Sequence, residues 1–480
     1  MNKNNNARRD FLKVSGLTGL GLAGTSLVTG CATGKMKSSG KGDDIVALAE
    51  RKYTQQFNMC GYGAPALPVV RIGFIGMGSR GPAAAVRMSH LEGVEIKALC
   101  DVRPEKAIAA KERLKGTSHN PDLYTDGEDA WMEMCQRDDI DLIYITTPWD
   151  LHTPMAVYAM EQGKHTATEV PAATTLEECW QLVETSERTK KHCCILENCC
   201  YDFFELLTFN MARQGFFGEI VHGEGAYIHD IMDGYFSGKR YDHWRLKQNM
   251  NRRGNLYPTH GLGPVCQIMN VNRGDKMDYL TSTSTMDFML ADKVNEVAAS
   301  DPEYKEFANH SFRGNMNTSV IKTAKGKTIM IQHDVTSPRP YSRIHMISGT
   351  KGIAQKWPTP GKIALGHEGW FTEEQMKEVE EKYTMELVTA LGEMAKKVGG
   401  HGGMDFLMDW RLIDCLRNGL PLDHDVYDAA SWSAIFPLSE WSVANRSAPI
   451  DVPDFTGGSW KTNAPVDKSL KNGVSTGVTM

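Results

Sequence analysis

The chain has 480 residues, 41% of them hydrophobic and 23% charged, with a formal net charge of −6. That length suffices for two or three domains with real cores, and the mild acidity excludes the basic surface expected of a nucleic-acid binder. Eleven cysteines are too few in so long a chain for a disulfide scaffold. The pairs Cys193-Cys194 and Cys199-Cys200 also lack the CxxC spacing of zinc ribbons, so they read as small core residues and no metal is expected.

Residues 1–30 read as an address. Arg8-Arg9-Asp10-Phe11-Leu12-Lys13 is a twin-arginine pattern, with Ala7 where Ser or Thr is usual. The apolar, glycine-rich run after it is too short and small in its side chains to span a bilayer. Val28-Thr29-Gly30-Cys31 has the form of a bacterial lipoprotein cleavage box with Cys31 lipidated; the alternative is an ordinary signal peptide with an incidental cysteine. The expectation is export by the twin-arginine machinery and a lipid anchor in the membrane, in the periplasm or outer membrane of a Gram-negative bacterium. Residues 31–67 show no sustained period and read as a tether, with a lid made by Tyr53 to Tyr62 as the alternative.

The next stretch organises the chain. Val69 to Ile75 suits a buried parallel strand, and Gly76-x-Gly78-x-x-Gly81 then opens a helix from Pro82 to Ser89. Gly76 allows the tight turn, Gly78 lets backbone approach a pyrophosphate, and Gly81 lets helix and strand pack. A diphosphate would meet the free N–H groups of the helix start. A second strand, Val94 to Cys100, ends in Asp101, about 20 residues past the last glycine, where an acid holds a ribose 2′-hydroxyl. A 2′-phosphate would meet like charge there, so NAD is favoured over NADP. The strand Asp141 to Thr147 repeats the unit and ends in Pro148-Trp149-Asp150-Leu151-His152, and residues 164–168 lead into Glu169-Val170-Pro171. In a doubly wound sheet such strand ends face the ligand, so Trp149 to His152 and Glu169 fall near the nicotinamide.

From Tyr201 a helix to Gln214 gives way to strands at Gly218 to Ile228, Tyr279 to Ser284, Asn317 to Thr323, Thr328 to Val335 and Ser342 to Gly349. Strands without intervening helices indicate a largely antiparallel sheet with helices on one face. The expected fold is α/β: an N-terminal Rossmann dinucleotide-binding domain at 68–197, then a C-terminal α+β substrate domain at 198–458 with a large, mostly antiparallel sheet. Residues 459–480 read as a frayed or draped tail. A helix from Pro264 to Met269 would point its positive end at an anion beside Tyr257-Pro258-Thr259-His260. His260, next to a glycine-rich turn and a polar cluster, reads as functional, whereas His222, His229 and His243 keep a structural reading. Tyr227, Tyr257 and Tyr341 fit core aromatics equally well, and Arg245 fits a surface cation. His401-Gly402-Gly403-Met404-Asp405 starts a helix to Arg417 and is expected to close a wall of a sugar pocket.

Gly76 to Gly81, Thr147-Pro148 with His152, and Glu169-Val170-Pro171 resemble the superfamily of glucose-fructose oxidoreductase and inositol dehydrogenase. Its third motif is usually Glu-Lys-Pro; Val170 replaces the proton-handling lysine, which counts against the alternative reading as a periplasmic NAD(P)-dependent sugar oxidoreductase. A branch with this departure is glycoside hydrolase family 109, the NAD-dependent α-N-acetylgalactosaminidases. Nearly the whole chain resembles it, through Trp149-Asp150-Leu151-His152, Glu169-Val170-Pro171-Ala172-Ala173, Glu197-Asn198, Gly223 to Tyr227, Asn255 to Pro264 and His401 to Asp405.

Carried over residue by residue, the resemblance implies NAD contacts from Ser79, Arg80, Asp101, Trp149, Asp150, Leu151, His152, Glu169, Val170 and Asn198. It implies sugar contacts from Tyr227, Arg245, Tyr257, Pro258, Thr259, His260 and Tyr341. The implied partner is a glycan or glycoconjugate bearing N-acetylgalactosamine, and a homo-oligomer is left open. The implied reaction uses tightly bound NAD without consuming it: oxidation at sugar C3, loss of the acidified C2 proton with the aglycone, water addition and re-reduction. His260 and Tyr257 are the candidates for proton handling, with Arg245 or the helix end holding charge. A third reading is a lipid-anchored sugar-binding protein whose dinucleotide is structural.

Overall fold

The computed structural model describes residues 41–480 apart from 239, 240, 472, 474 and 480. The twin-arginine pattern, Cys31 and residues 32–40 lie outside the described residues. Among the described residues no helix is long and apolar enough to cross a membrane.

Two sheets carry the architecture. The first comprises β1 (Val70–Ile75), β2 (Val94–Cys100), β3 (Asp122–Tyr124), β4 (Leu142–Ile145), β5 (His165–Thr168) and β6 (Cys193–Ile195), in the order β3-β2-β1-β4-β5-β6. Every pairing in it is parallel. All positions of β4, β5 and β6 are buried, as strands covered on both faces require. The strand order reverses between β1 and β4, which opens a crevice at the carboxyl ends. Gly76–Gly81, Asp101, Trp149–His152, Glu169 and Glu197–Asn198 all follow those ends.

The second sheet comprises β7 (Ile220–Ile228), β8 (Met277–Ser284), β9 (Asn317–Thr323), β10 (Thr328–Asp334), β11 (Met346–Gly349), β12 (Gly352–Gln355), β13 (Lys362–Leu365) and β14 (Ile450–Asp451). Its order is β13-β12-β11-β7-β10-β9-β8-β14, antiparallel except where β10 runs parallel to β7. The strand expected from Ser342 begins only at Met346, because Ile344 and His345 adopt φ of 59° and 45° and leave the ladder. A β-branched residue in that region is strained, and such strain is held only by firm surroundings.

The helix Thr259–Met269 lies on β7 at unusually close range. A Cβ at Gly225 would meet the Gly261 carbonyl oxygen at 2.3 Å, and one at Gly261 would meet the Ala226 nitrogen at 2.3 Å. Glycine on both sides therefore lets helix and strand touch, which brings His260 beside Tyr227. The helix starts five residues before the expected Pro264, which sits inside it and forgoes one N–H. Thr259 and His260 thus belong to its first turn instead of preceding it.

Two segments correct the sequence reading, and a third decides between its alternatives. Lys41–Ala49 is a helix, and residues 50–67 run along the body: Tyr53 Oη donates to Glu187 Oε2 at 2.6 Å, Gln55 Nε2 to Tyr427 Oη at 2.6 Å, and Met59 and Ala64 are buried. The tether reading therefore fails for residues 41–67, whose aromatics pack against Trp180 and His192. Val426–Ala444 is an unforeseen helix of 19 residues, buried along nearly its whole length. The tail is draped and not frayed: Lys468, Leu470 and Thr476 are buried, and Trp410 Nε1 donates to the Thr476 carbonyl at 2.9 Å.

Candidate active site

The crevice of the first sheet has the features a dinucleotide needs. Gly76 has φ +93°, and a Cβ at Gly81 would lie 2.1 Å from the Gly76 carbonyl oxygen, so this turn closes only on glycine. The helix Gly81–Met88 has no side-chain cap, and Gly78 and Ser79 are exposed at its mouth. Its first N–H groups are therefore free for a diphosphate. Asp101 accepts the Met77 N–H at 2.7 Å and the Arg103 N–H at 2.9 Å, which fixes the carboxylate at the end of β2 beside the loop.

Arg80 donates from Nε to Glu169 Oε1 at 2.7 Å and from Nη1 to Asp405 Oδ2 at 3.1 Å. Asn198 Nδ2 donates to the other Asp405 oxygen at 2.5 Å. Two residues from the expected cofactor set, Arg80 and Asn198, are thus linked through one carboxylate that the sequence assigned to a sugar wall, and Glu169 joins them through Arg80. The His401–Asp405 stretch instead faces the dinucleotide loop.

Other expected cofactor residues face elsewhere. His152 is fully buried, with Nδ1 at 2.7 Å from the Pro171 carbonyl oxygen and Nε2 at 2.8 Å from that of Thr147. It ties the turn after β4 to the one after β5 and has no face left for a ligand. Val170 is buried in the core, and Leu151 is half-buried. Asp150 accepts both contacts of Gln248 Nε2, at 2.9 and 3.0 Å. Trp149 packs with the second domain, its ring centroid 4.9 Å from Trp244 and 5.7 Å from Tyr257.

Beside that crevice the second domain builds an aromatic pocket lined by Trp149, Tyr227, Arg245, Tyr257 and His333 among others. The Arg245 guanidinium stands 5.0 Å above the Trp149 ring and 5.5 Å above that of Tyr257, a cation held by aromatic faces. His260 meets the Tyr257 ring edge-on at 4.8 Å and the Tyr227 ring at 5.3 Å. Tyr227 Oη lies 3.0 Å from His229 Nδ1, and the His229 ring packs on Tyr341 at 4.9 Å. Tyr341 Oη accepts from Arg343 Nη1 at 3.2 Å. Pro258 and Thr259 are buried behind this surface, so Tyr257 lines the pocket and His260 stands against its Tyr257 and Tyr227 rings. His222 and His243 bond Thr328 and Glu303 away from it, in keeping with a structural reading.

The decisive contact is one the sequence did not assign. Glu197, with no exposed surface, faces His260 Nδ1 at 2.8 Å and 3.0 Å through its two oxygens. Burial alone would raise its pKa, but the adjoining His260 ring and the hydrogen bonds from His260 and the Cys199 N–H outweigh burial and hold it below the ordinary value. An ionised Glu197 accepts from Nδ1–H, which leaves the Nε2 lone pair of His260 free. Enclosure and the neighbouring Tyr227 hydroxyl raise the Tyr257 pKa well above the ordinary phenol value, so that hydroxyl stays protonated. Cys199 offers its sulfur within 4.8 Å of ligand atoms on Glu197 and His260, and burial raises its thiol pKa well above the ordinary value.

A parallel-sheet dinucleotide crevice opening onto a sheet-borne aromatic pocket with an acid–histidine pair defines an NAD-binding enzyme of the sugar-oxidoreductase fold. Residues 70–196 match the oxidoreductase family NAD-binding Rossmann fold, and residues 201–462 match the glycosyl hydrolase 109 C-terminal domain. An alpha-N-acetylgalactosaminidase of Bacteroides fragilis is 51% identical over 418 residues, covering 85% of this chain and 97% of that protein. Glycosyl hydrolase family 109 protein 1 of Bacteroides thetaiotaomicron is 44% identical over 459 residues, 92% of this chain and 96% of its own. Levoglucosan dehydrogenase, in complex with NADH and L-sorbose, shares the fold with a TM-score of 0.62 at 18% identity, over 81% of this chain and 100% of that one. The chain belongs to glycoside hydrolase family 109, and NAD is its cofactor.

Proposed function

We propose that the enzyme hydrolyses terminal α-N-acetylgalactosaminides with NAD that it keeps and does not consume. The observation that carries this reading is the Glu197–His260 pair opening beside Tyr257, Tyr227 and Arg245 next to the dinucleotide crevice. The name of the Bacteroides fragilis relative supplies the sugar. When bound, NAD supplies a hydride acceptor and returns the same hydride, so net redox is zero. His260 is oriented by Glu197 with Nε2 free to take a proton from the sugar, from a hydroxyl or from the acidified ring carbon. Tyr257 keeps its proton and donates a hydrogen bond to a sugar oxygen. The Arg245 cation, fixed against Trp149, stabilises negative charge that develops in the ring. Aromatic faces of Tyr227, Tyr257 and Tyr341 exclude water from these steps.

The test is release of aryl alcohol from an aryl α-N-acetylgalactosaminide by desalted protein with no NAD added. Release is expected, without net NADH. No release even after NAD is resupplied would refute the substrate assignment.

The twin-arginine pattern at Arg8-Arg9 and the box ending in Cys31 support export as a folded protein and anchoring by a lipid in the periplasm or outer membrane. Prior folding suits a chain that acquires its dinucleotide in the cytoplasm. The activity should sediment with membranes, and Cys31→Ser should move it to the soluble fraction; an unchanged distribution counts against the anchor.

A further inference from the structure

The turn ahead of the helix Met404–Asn418 is built to deliver one carboxylate to the cofactor crevice. Gly399, Gly400, Gly402 and Gly403 have φ of 90°, 87°, 75° and 108°, and His401 between them has 47°. Only a glycine-rich chain follows such a path. A Cβ at Gly400 would lie 2.6 Å from the Asp405 Cβ, so the turn is shaped around Asp405.

Asp405 is 1% exposed and binds Arg80 Nη1 at 3.1 Å, His401 Nδ1 at 2.9 Å and Asn198 Nδ2 at 2.5 Å, with Arg87 Nη1 at 3.6 Å. Its carboxyl is buried, but the His401 hydrogen bond and the Arg80 and Arg87 charges hold it ionised. Arg80 follows β1 and Asn198 follows β6, so one acid of the second domain fixes both sides of the crevice. Glu169, after β5, is tied in through Arg80.

We propose that Asp405 is a positioning residue for the cofactor: it fixes Arg80 and Asn198 in the geometry that retains NAD between turnovers. Without it Arg80 keeps only Glu169 and a 3.2 Å contact with His401 Nδ1, and the Asn198 amide loses its acceptor. The ordering that Asp405 provides in advance must then come out of NAD affinity. The inference rests on the NAD site and not on the sugar assignment.

Asp405→Ala and Asp405→Asn are purified, desalted and assayed for NAD released on denaturation, then NAD is titrated back. The unsubstituted enzyme should retain NAD through desalting. The variants should lose it and rebind about tenfold or more weakly, the scale of one charged hydrogen bond. The NAD concentration giving half-maximal activity should rise by that factor while kcat at saturating NAD changes far less, with far-UV circular dichroism preserved. Undiminished retention would overturn the proposal, and so would a fall in kcat at unchanged NAD affinity. Should the alanine variant not fold, Asp405→Asn keeps the shape and decides alone: an unchanged Kd for NAD there refutes it. No sugar enters the retention assay, so failure to hydrolyse an N-acetylgalactosaminide would not alter what that assay shows about Asp405.

Discussion

The chemistry of the pocket turns on a proton acceptor whose direction is set by a second residue. His260 can take a proton only if Nε2 is the bare nitrogen, and the ionised Glu197 at 2.8 Å enforces that tautomer. Glu197→Gln keeps the size and one acceptor but loses the charge that favours Nδ1–H and stabilises the protonated ring. The variant should lose about a hundredfold or more in kcat, the usual range for general base catalysis, while bound NAD stays unchanged. Steady-state turnover of an aryl glycoside beside NAD content checks this, and full kcat in the variant would remove Glu197 from the mechanism. At this scale the sequence singled out His260, Tyr257 and Arg245 from their local setting but missed their partners. Glu197 and His260 are 63 residues apart, and Arg80 and Asp405 are 325 apart, so no spacing rule joins them. His229 left a local signal: it follows Tyr227 by two residues, and alternate residues of a strand share a face.

Elements were legible where a single period governs them. β2 and β9 fall where alternation and turn residues put them, Val94–Cys100 and Asn317–Thr323, because each is bounded by polar or glycine-containing segments. The glycine triplet fixed the turn after β1, since the physics there is local: a positive φ at Gly76 and the closeness of Gly81. The helix Val426–Ala444 was invisible for the opposite reason. It is apolar on every side and buried on every side, so it shows no stripe against which a 3.6-residue period can be seen. Its Asp425–Asp428 capping box was the available clue. Residues 50–67 misled in another way. They lack a period because they follow the surface irregularly, and their order comes from distant partners: Glu187 accepts from Tyr53 Oη at 2.6 Å and from Tyr427 Oη at 2.9 Å. Polar, aperiodic sequence marks the absence of regular structure, and docking was decided by residues far along the chain.

The whole molecule buries enough titratable groups to make its stability depend on pH in a definite sense. Burial pushes His192 and His424 down to about 4 and His345 down to about 3, and it drives His165 and His333 well below the ordinary histidine value. These rings are neutral in the fold and take up protons near 6.5 once unfolded, so their stabilisation is complete above that pH and lost as pH falls. Three acids act in the opposite direction. Burial raises Glu205 to about 7 and Asp409 and Asp425 to about 6, so they stay protonated in the fold and favour it below about pH 4, an advantage lost as pH rises through 6 to 7. His119, His152 and His229 are also held down and Glu178 is also held up, so the lowered histidines outnumber the raised acids and the unfolded chain binds more protons than the fold between roughly pH 4.5 and 6. Stability should therefore fall on acidification in that window. Below pH 4 the decline steepens, because Asp202, Asp405 and Asp423 are held below the ordinary carboxylate value by Arg343, by His401 with Arg80, and by Arg411 despite their burial. Urea unfolding at pH 7, 6 and 5 measures the slope. Asp409→Asn, which removes one opposing acid, should make it steeper, by at most about 1 kcal/mol per pH unit. A protein that grew more stable from pH 7 to 5 would show that the raised acids outweigh the buried histidines, contrary to this balance.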